Sequence, residues 1–384
     1  MKYDSIALIV LNLSILYTVI LYCSKSSFLF ILSPLNFDLK MAALMQNLEI
    51  AEMCKRMPKI ELHAHINGSV SDATVKKLLL KKNRNEEKVC FDKGQSSTLE
   101  ECFQKFKLIH QLADDTNSAY MITYDVIHEF AAENVKYLEL RSTPREVTTT
   151  GMTKSSYVDA VLRAIKDCAN ENLDIIVKFL LAIDRRNGVD VAMETVDLAE
   201  KYLSGGIVVG IDLSGDPTVG DARDYIPVFE KAKKYGLKLA LHIAEVPAIE
   251  ETLELLKLPP DRIGHGTCLH TEAGGTQELE DYVYNHKIPI ELCLTSNVVG
   301  QTVQQFDNHQ FLYWYQKNHP CIICTDDKGV FSTSLSEEYE IAANTFNLSV
   351  DQVWRLSFDS IDHIFADDIT KQHLRSKFLK FRKI

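Results

Sequence analysis

Residues 177–216 read VKFLLAIDRRNGVDVAMETVDLAEKYLSGGIVVGIDLSGD. An apolar run ends at Asp184, an amphipathic stretch of helical spacing follows in GVDVAMETVDLAEKYL, and a second apolar run ends at Gly215. Short apolar runs separated by a helix-length amphipathic segment are typical of a strand–helix–strand unit. Because parallel strands need a crossover of about this length, the stretch predicts part of a parallel sheet covered by helices.

The same alternation continues on both sides of this unit. Helical patterns of similar length occur in SSYVDAVLRAIKDCANEN at residues 155–172 and in DARDYIPVFEKAKKYG at residues 221–236. Residues 72–134 carry no strong strand pattern and are expected to form helices inserted after the first strand. Eight strands are predicted, with ends near His65, Ser142, Asp184, Gly215, Glu245, His265, Asn297 and Asp326. Eight units in a chain of 384 residues predict an α/β fold, a single (β/α)8 TIM barrel.

The charge balance and the cysteines exclude several classes of protein. The chain has 42 Lys+Arg against 53 Asp+Glu, a net charge of −11, which disfavours nucleic acid as a partner and favours a small-molecule substrate. Its one dense basic run, residues 76–84, lies on a helical pattern without interleaved aromatic residues and is interpreted as a solvated helix face. Nine cysteines scattered through apolar runs suit a reducing compartment, the cytosol, and the CxxC of Cys321 and Cys324 is predicted to be part of the core.

The first forty residues differ in composition from the rest. Residues 6–23 are mostly apolar, at the lower limit of length for spanning a bilayer, and a second methionine, Met41, follows. Residues 1–40 are therefore interpreted as an upstream extension outside the working enzyme, with a membrane anchor as the alternative. The enzyme itself is predicted to be one domain, residues 41–384.

Polar residues stand at almost every predicted strand end, and in TIM barrels the C-terminal strand ends form the active-site face. His63 and His65 in KIELHAHING are two apart on a strand, so that both imidazoles point to one side. His242 ends another apolar run, and Asp326 with Asp327 follows the buried strand PCIIC. Three imidazoles and a carboxylate form a ligand set suited to zinc. An HxH pair alone would be weak support, because satisfied histidine pairs at strand ends are equally common.

At this point the chain resembles the adenosine deaminase family of the amidohydrolase superfamily. The motifs HAHINGS, SGDP, HIAE, IGHG, TSN and CTDD occur in the family's order between about Lys59 and Phe331. The resemblance implies a metal-dependent hydrolase barrel with one Zn²⁺ per subunit, held by His63, His65, His242 and Asp326. It makes Glu245 the acid that protonates the purine N1, His265 and Asp327 the groups that orient and deprotonate the metal-bound water, and Gly215 a backbone contact to the base. A carboxylic acid that donates a proton at neutral pH needs a raised pKa, which a dry barrel mouth supplies.

Structural interpretations of three of these residues stay open. His265 lies between two glycines and could only fill a turn, Asp327 could cap the helix that follows, and Gly215 could serve only the SGDP turn.

Within the family, LELRSTPRE and the preceding LIHQL resemble the subgroup that deaminates N6-methyl-AMP and related 6-substituted purine monophosphates. Hydroxyls and a guanidinium together match a phosphate dianion, so a cradle is predicted from Ser142, Thr143, Pro144 and Arg145. The resemblance marks further substrate contacts at His65, Asn67, His110, Asp184, Gly215, Glu245 and Asp327. The alternative is a nucleoside enzyme acting on adenosine, in which Arg145 or Arg141 makes a surface salt bridge, His110 is exposed, and Asp184 pairs with Arg185 or Arg186.

The motifs disfavour three other functions. A binuclear amidohydrolase usually needs a lysine at the end of the fourth strand, and GIVVGIDLSGDP has none, while Lys178 lies within the third. Deaminases that flip bases out of nucleic acid use HxE and PCxxC motifs, which are missing here. A non-catalytic, membrane-anchored binding barrel would predict a broken ligand set. The prediction is therefore a cytosolic, monomeric purine deaminase that contacts a membrane only if residues 1–40 are an anchor.

Overall fold

A computed structural model describes residue 45 and residues 47–84 and 99–382. The chain divides into two units, Met1–Asn47 and Leu48–Ile384, and the fold described here belongs to the second. The predicted extension, residues 1–40, lies outside the described residues. Among the described residues, no helix has the length and apolar character needed to cross a membrane.

Eight parallel strands form one sheet in the order β1 to β8, which confirms the predicted TIM barrel. The strands are β1 (Lys59–His65), β2 (Val135–Ser142), β3 (Ile176–Asp184), β4 (Val208–Ser214), β5 (Lys238–Ile243), β6 (Arg262–His265), β7 (Ile290–Leu292) and β8 (Cys321–Ile323).

Helices alternate with the strands, as the apolar periodicity predicted. Residues 48–56 are helical before β1. The longer helices are Asp72–Lys81, Leu99–Leu112, Thr116–Ala132, Lys154–Asn170, Val189–Leu203, Ile226–Lys234, Ile249–Leu256, Gln277–His286, Leu294–Val299, Phe311–Gln316, Leu335–Phe346, Val350–Asp359 and Asp368–Arg382. Single 3₁₀ turns cover Arg185–Asn187, Ala222–Tyr225, Thr271–Ala273, Phe306–Asn308 and Ser360–His363. The first three helices after β1 are the predicted insertion.

The barrel closes between β8 and β1 through few backbone contacts. One isolated bridge, Ala64 with Asp326, joins the two strands within the described residues. The amide of His65 donates to the Asp326 carbonyl at 3.0 Å, and the amide of Asp326 donates to the His63 carbonyl at 2.8 Å. Below the bridge the buried carboxylate of Glu61 accepts from the amide and the hydroxyl of Thr325, at 3.0 and 2.8 Å. A side chain thus supplies hydrogen bonds that a continuous ladder would otherwise provide.

Two strand ends differ from the prediction. β7 ends at Leu292, and Asn297 lies on the helix Leu294–Val299 that starts directly after Cys293. β8 ends at Ile323, three residues before Asp326, whose φ of +60° turns the chain. Apolar residues continue past both strand ends, so composition alone overestimates the strands. Cys321 and Cys324 are buried free thiols, as predicted.

Candidate active site

Histidines and one carboxylate from β1, β5 and the end of β8 meet at the C-terminal mouth of the barrel. Nε2 of His65 lies 3.4 Å from Nε2 of His242 and 3.3 Å from Oδ1 of Asp326. Nε2 of His63 lies 3.4 Å from the same Asp326 oxygen. Nε2 of His63 is buried and has no hydrogen-bond partner in the described part of the chain, which is costly unless a cation occupies the space in front of it. The four predicted ligands therefore converge, and the chemistry of their donor atoms fits a metal ion.

His265 lies in the same cluster. Ligand atoms of His63, His242, His265 and Asp326 all lie within 4.8 Å of one another, and His65, Asp212 and His242 form an overlapping group among the described residues. The two groups together contain six side chains, more than the four that are predicted to hold the metal. His65 approaches two other donors at 3.3–3.4 Å, whereas Nε2 of His265 lies 3.7 Å from Asp326 and 3.8 Å from Glu245. The shorter distances favour His65 as the ligand.

Buried carboxylates hold the outer nitrogens of two histidines. Nδ1 of His63 lies 2.7 Å from Glu291 on β7, and Nδ1 of His242 lies 2.8 Å from Asp212 on β4. A neutral imidazole that donates from Nδ1 presents a bare Nε2, the atom that a metal requires. These two acids are not among the predicted site residues, although the charge of each within an apolar strand is a local signal of a buried polar contact.

Two arginines lie in the barrel interior beneath the cluster. Arg141 donates to Glu291 at 2.9 Å and to the Leu62 carbonyl at 2.6 Å, and lies 3.5 Å from Asp212. Arg262 pairs with Glu291 at 2.5 Å and with Glu139. The suggestion that Arg141 forms a surface salt bridge is wrong, because the residue is fully buried.

Glu245 follows β5 and faces His265 across the mouth. Burial raises the pKa of its carboxyl. Burial and the neighbouring Asp326 raise the pKa of Asp327 well above its usual range. The raised pKa suits Glu245 to hold a proton near neutral pH, and it makes the Asp327 carboxylate a stronger proton acceptor.

Gly68 explains how Asp327 fits into the site. A Cβ at residue 68 would lie 1.5 Å from Oδ1 of Asp327, so only glycine leaves room for that carboxylate. The same oxygen is buried and has no hydrogen-bond partner among the described residues.

Four of the predicted substrate contacts directly follow the C-terminal ends of β1, β2 and β4. Asn67, Thr143 and Gly215 are partly buried, and Pro144 is buried. A Cβ at Gly215, whose φ is +97°, would lie 2.4 Å from Oδ1 of Asp184. Glycine is therefore required there by both backbone conformation and space.

The cradle residues are brought together only in part. Arg145 donates to the backbone carbonyl of His110 at 3.0 Å. His110 is exposed, as the alternative interpretation expected. Partial desolvation of its ring lowers its pKa, and the positive charges of Arg145 and Arg186 lower it further, so two guanidiniums lie near this histidine. The Ser142 hydroxyl is instead bonded to the Tyr157 hydroxyl at 2.7 Å.

The alternative partners for Asp184 are resolved by its contacts. Asp184 pairs with Arg186, at 2.8 Å from Nε to Oδ1, whereas Arg185 pairs with Glu251 at 2.8 Å. Lys178 lies at the start of β3 and donates to the Gly206 carbonyl at 2.5 Å. That lysine is therefore far from the position of a bridging ligand.

Several known proteins are similar to this chain in sequence and fold. The adenosine deaminase family model matches residues 58–381. N6-methyl-AMP deaminase of Danio rerio is 55% identical over 335 residues, which cover 86% of this chain and 96% of that protein. The human N6-methyl-AMP deaminase is 55% identical over 328 residues, covering 84% and 92% of the two chains. The crystal structure of the Arabidopsis N6-mAMP deaminase superposes with a TM-score of 0.78 at 40% identity and covers 86% of this chain and 99% of its own.

Related crystal structures show Arabidopsis ADAL complexed with GMP and with IMP. Because the family model spans nearly the whole barrel, and because close relatives match over more than four fifths of the chain, the chain belongs to the adenosine deaminase family.

Proposed function

We propose that this enzyme hydrolyses the C6–N bond of 6-alkylamino purine monophosphates, with N6-methyl-AMP converted to IMP and methylamine. The observation that carries the proposal is the position of Glu245, whose partly buried carboxyl lies beside His265 at the edge of the donor cluster. An acid with a raised pKa beside such a cluster suits hydrolysis at a ring carbon next to a basic nitrogen. The relatives named N6-methyl-AMP deaminase, at 55% identity, support the substrate.

We assign one zinc ion per subunit to His63, His65, His242 and Asp326. When bound, zinc supplies a Lewis acid that makes water nucleophilic near neutral pH. Glu291 and Asp212 keep Nε2 of His63 and His242 free of protons and turned toward the ion. Ser296 donates to Oδ2 of Asp326 at 2.7 Å, which leaves the other oxygen directed at His63 and His65.

The protein side chains move the protons of the reaction. The oxygen of water bonds to C6 while Glu245 gives its proton to N1, so that the ring holds no net charge. Asp327 accepts the proton from the attacking water. Asp327 then gives this proton to the leaving nitrogen as the C6–N bond breaks and methylamine departs. The C6 hydroxyl gives its proton to the Glu245 carboxylate, which leaves the 6-oxo purine. The backbone of Gly215 contacts the base.

The phosphate is assigned to the rim formed by Thr143, Arg145 and His110. Arg145 and Arg186 near His110 give this rim positive charge, whereas the chain as a whole is negative. A guanidinium suits a phosphate dianion because of its planar set of donors. Asn67 and Asp184 would contact the sugar.

Adenosine is the second candidate substrate. It is favoured by Ser142, whose hydroxyl is bonded to Tyr157 and is thus not free for a phosphate. We further propose a monomer that works in the cytosol, with residues 41–384 as the catalytic domain. The buried free thiols of the described residues support that compartment.

The test compares N6-methyl-AMP, AMP and adenosine as substrates of the zinc-loaded full chain, followed by the ultraviolet change to the hypoxanthine chromophore. Selective turnover of N6-methyl-AMP is expected. Preference for adenosine would keep the deaminase chemistry and remove the phosphate site. No turnover of any of the three would contradict the proposed function.

A further inference from the structure

A chain of hydrogen bonds runs from the backbone of the helix Phe311–Gln316 to the catalytic His265. The amide of Phe311 lies 3.1 Å from Nδ1 of His309, Nε2 of His309 lies 2.9 Å from Oδ1 of Asn297, and Nδ2 of Asn297 lies 3.2 Å from Nδ1 of His265. The three residues of this hydrogen-bond relay, His265, Asn297 and His309, are each at most 2% exposed. Water therefore has little access to its bonds.

The backbone amide of Phe311 determines which atom is the donor in each hydrogen bond of this relay. A backbone N–H can only donate, so Nδ1 of His309 is an acceptor and the proton of the neutral ring sits on Nε2. Burial lowers the pKa of His309 to about 3, so the ring stays neutral under ordinary conditions. Its Nε2–H must then donate to Oδ1 of Asn297.

The Asn297 amide consequently turns its NH₂ group toward His265. One N–H donates to Nδ1 of His265, and the other to the Thr302 hydroxyl at 3.1 Å, which itself donates to the Asn297 carbonyl at 3.2 Å. The flipped amide would place its NH₂ against Nε2 of His309. That ring would then have to accept at both nitrogens, which a neutral imidazole cannot do.

We infer that Asn297 and His309 are positioning residues that hold His265 as the tautomer with its proton on Nε2. That N–H faces the reacting side of the site, with Asp326 Oδ2 at 3.7 Å and Glu245 Oε2 at 3.8 Å. His265 thus donates a hydrogen bond to the attacking oxygen and does not remove its proton, which leaves deprotonation to Asp327.

The same tautomer settles the competition within the donor cluster. A metal ligand must present a bare nitrogen, as His63 and His242 do because their Nδ1 atoms face carboxylates. His265 has the opposite arrangement, with a donor facing Nδ1 and the proton on the inner nitrogen. It is therefore excluded from the ligand set although it lies close enough to join it.

The backbone of His265 is held from the same loop. The Gln310 side chain donates to the His265 carbonyl at 3.1 Å. This contact stabilises a φ of +62°, which is costly for a residue with a Cβ. The segment 309–310 thus fixes both the backbone and the protonation pattern of one catalytic residue.

The experiment measures the tautomer directly, in the ¹⁵N-histidine-labelled full chain loaded with zinc. Two-bond ¹H–¹⁵N correlations distinguish a protonated from a bare ring nitrogen, and the signals that vanish in His265→Ala belong to His265. We expect the proton on Nε2 in the unmodified chain. A proton on Nδ1 would overturn the inference, whatever the activity.

Asn297→Leu tests the relay, because leucine has a similar shape and no donor. We expect the fixed tautomer to be lost, and kcat to fall about 100-fold with KM nearly constant, the scale of losing one oriented donor in the transition state. Zinc content should be unchanged. Thr302→Val is the matched control: it removes the other bond of the same amide and should leave spectrum and kcat unaltered.

If Asn297→Leu does not fold, His309→Phe tests the relay instead. This variant removes the hydrogen bond that orients the Asn297 amide, so that the amide can flip. An unaltered tautomer and kcat in the folded variant would overturn the positioning role. The inference rests on the proposed function only for the part His265 plays in turnover, because the tautomer is observed without substrate. A change of preferred substrate would therefore leave it intact.

Discussion

Arg141 and Glu291 form a fully buried ion pair of 2.9 Å directly beneath the histidines that we assign to the metal. Glu291 uses the same oxygen, Oε2, to bind Nδ1 of His63. Removal of the guanidinium would leave the buried negative charges of Glu291 and Asp212 only partly compensated. We expect Arg141→Met to lower the free energy of unfolding by about 3–5 kcal/mol and metal affinity by about 10- to 100-fold.

Chemical denaturation and a competitive chelator titration measure these two effects. Arg355→Met is the control, because its pair with Asp351 is exposed and should contribute about 0–1 kcal/mol. Equal stability of the two variants would show that the buried pair is not needed.

Glu245→Gln should retain zinc and lose most turnover. The glutamine has nearly the same shape but no proton to give to N1, and Glu245 is not among the proposed ligands. Metal analysis together with kcat separates the two effects. Normal activity in this variant would remove Glu245 from the mechanism.

Arg145→Ala should reduce kcat/KM for N6-methyl-AMP far more than for adenosine or its N6-methyl derivative. The reason is that the guanidinium interacts with a phosphate that nucleosides lack. Arg163→Ala, which removes a guanidinium stacked on Tyr120, controls for the loss of positive charge. Parallel losses on nucleotides and nucleosides would contradict the phosphate assignment.

Gly68→Ala should lower kcat with little loss of zinc, because the added methyl group would displace the Asp327 carboxylate. Gly205→Ala is the control, since its Cβ would meet only the Tyr202 carbonyl, at 3.3 Å. Steady-state kinetics and metal content provide the measurement. Full activity of Gly68→Ala would mean that Asp327 need not occupy its observed position.

Stability should fall as the pH drops below about 6.5, partly because of His319. Burial lowers the pKa of this histidine to about 4. Below the pKa that the same histidine has in the unfolded chain, the unfolded chain therefore binds a proton that the folded chain does not bind. At pH 5 the loss from this one residue is about 2 kcal/mol. Between pH 7.5 and 5, urea unfolding of His319→Gln should show a correspondingly shallower decline, and an identical decline would refute this cause.

The sequence predicts the barrel well because strand–helix alternation and polar strand ends are both local patterns. The residues of the HAH, HIAE and CTDD motifs could be placed at one mouth, since parallel strands align their carboxyl ends. The roles of these residues remain predictions that the variants above test.

Other features depend on contacts across the barrel and could not be predicted. Arg141 stands four residues before Arg145 in the same motif, yet one enters the interior and the other reaches the rim. Its partners, Glu291 and Asp212, come from distant strands, and nothing local marks them as a pair. The hydrogen-bond relay from His309 to His265 could not be predicted either, because the spacing of the two histidines follows no helical or strand period.

The closure of the barrel between β8 and β1 also determines at what point in the synthesis of the chain the site can form. Glu61 and Thr325, whose bonds help to close it, are 264 residues apart in the chain. Synthesis proceeds from the N-terminus, so His63 leaves the ribosome long before Asp326 is translated. A nascent or truncated chain holds no complete donor set, and metal capture is thereby coupled to the completion of translation and folding.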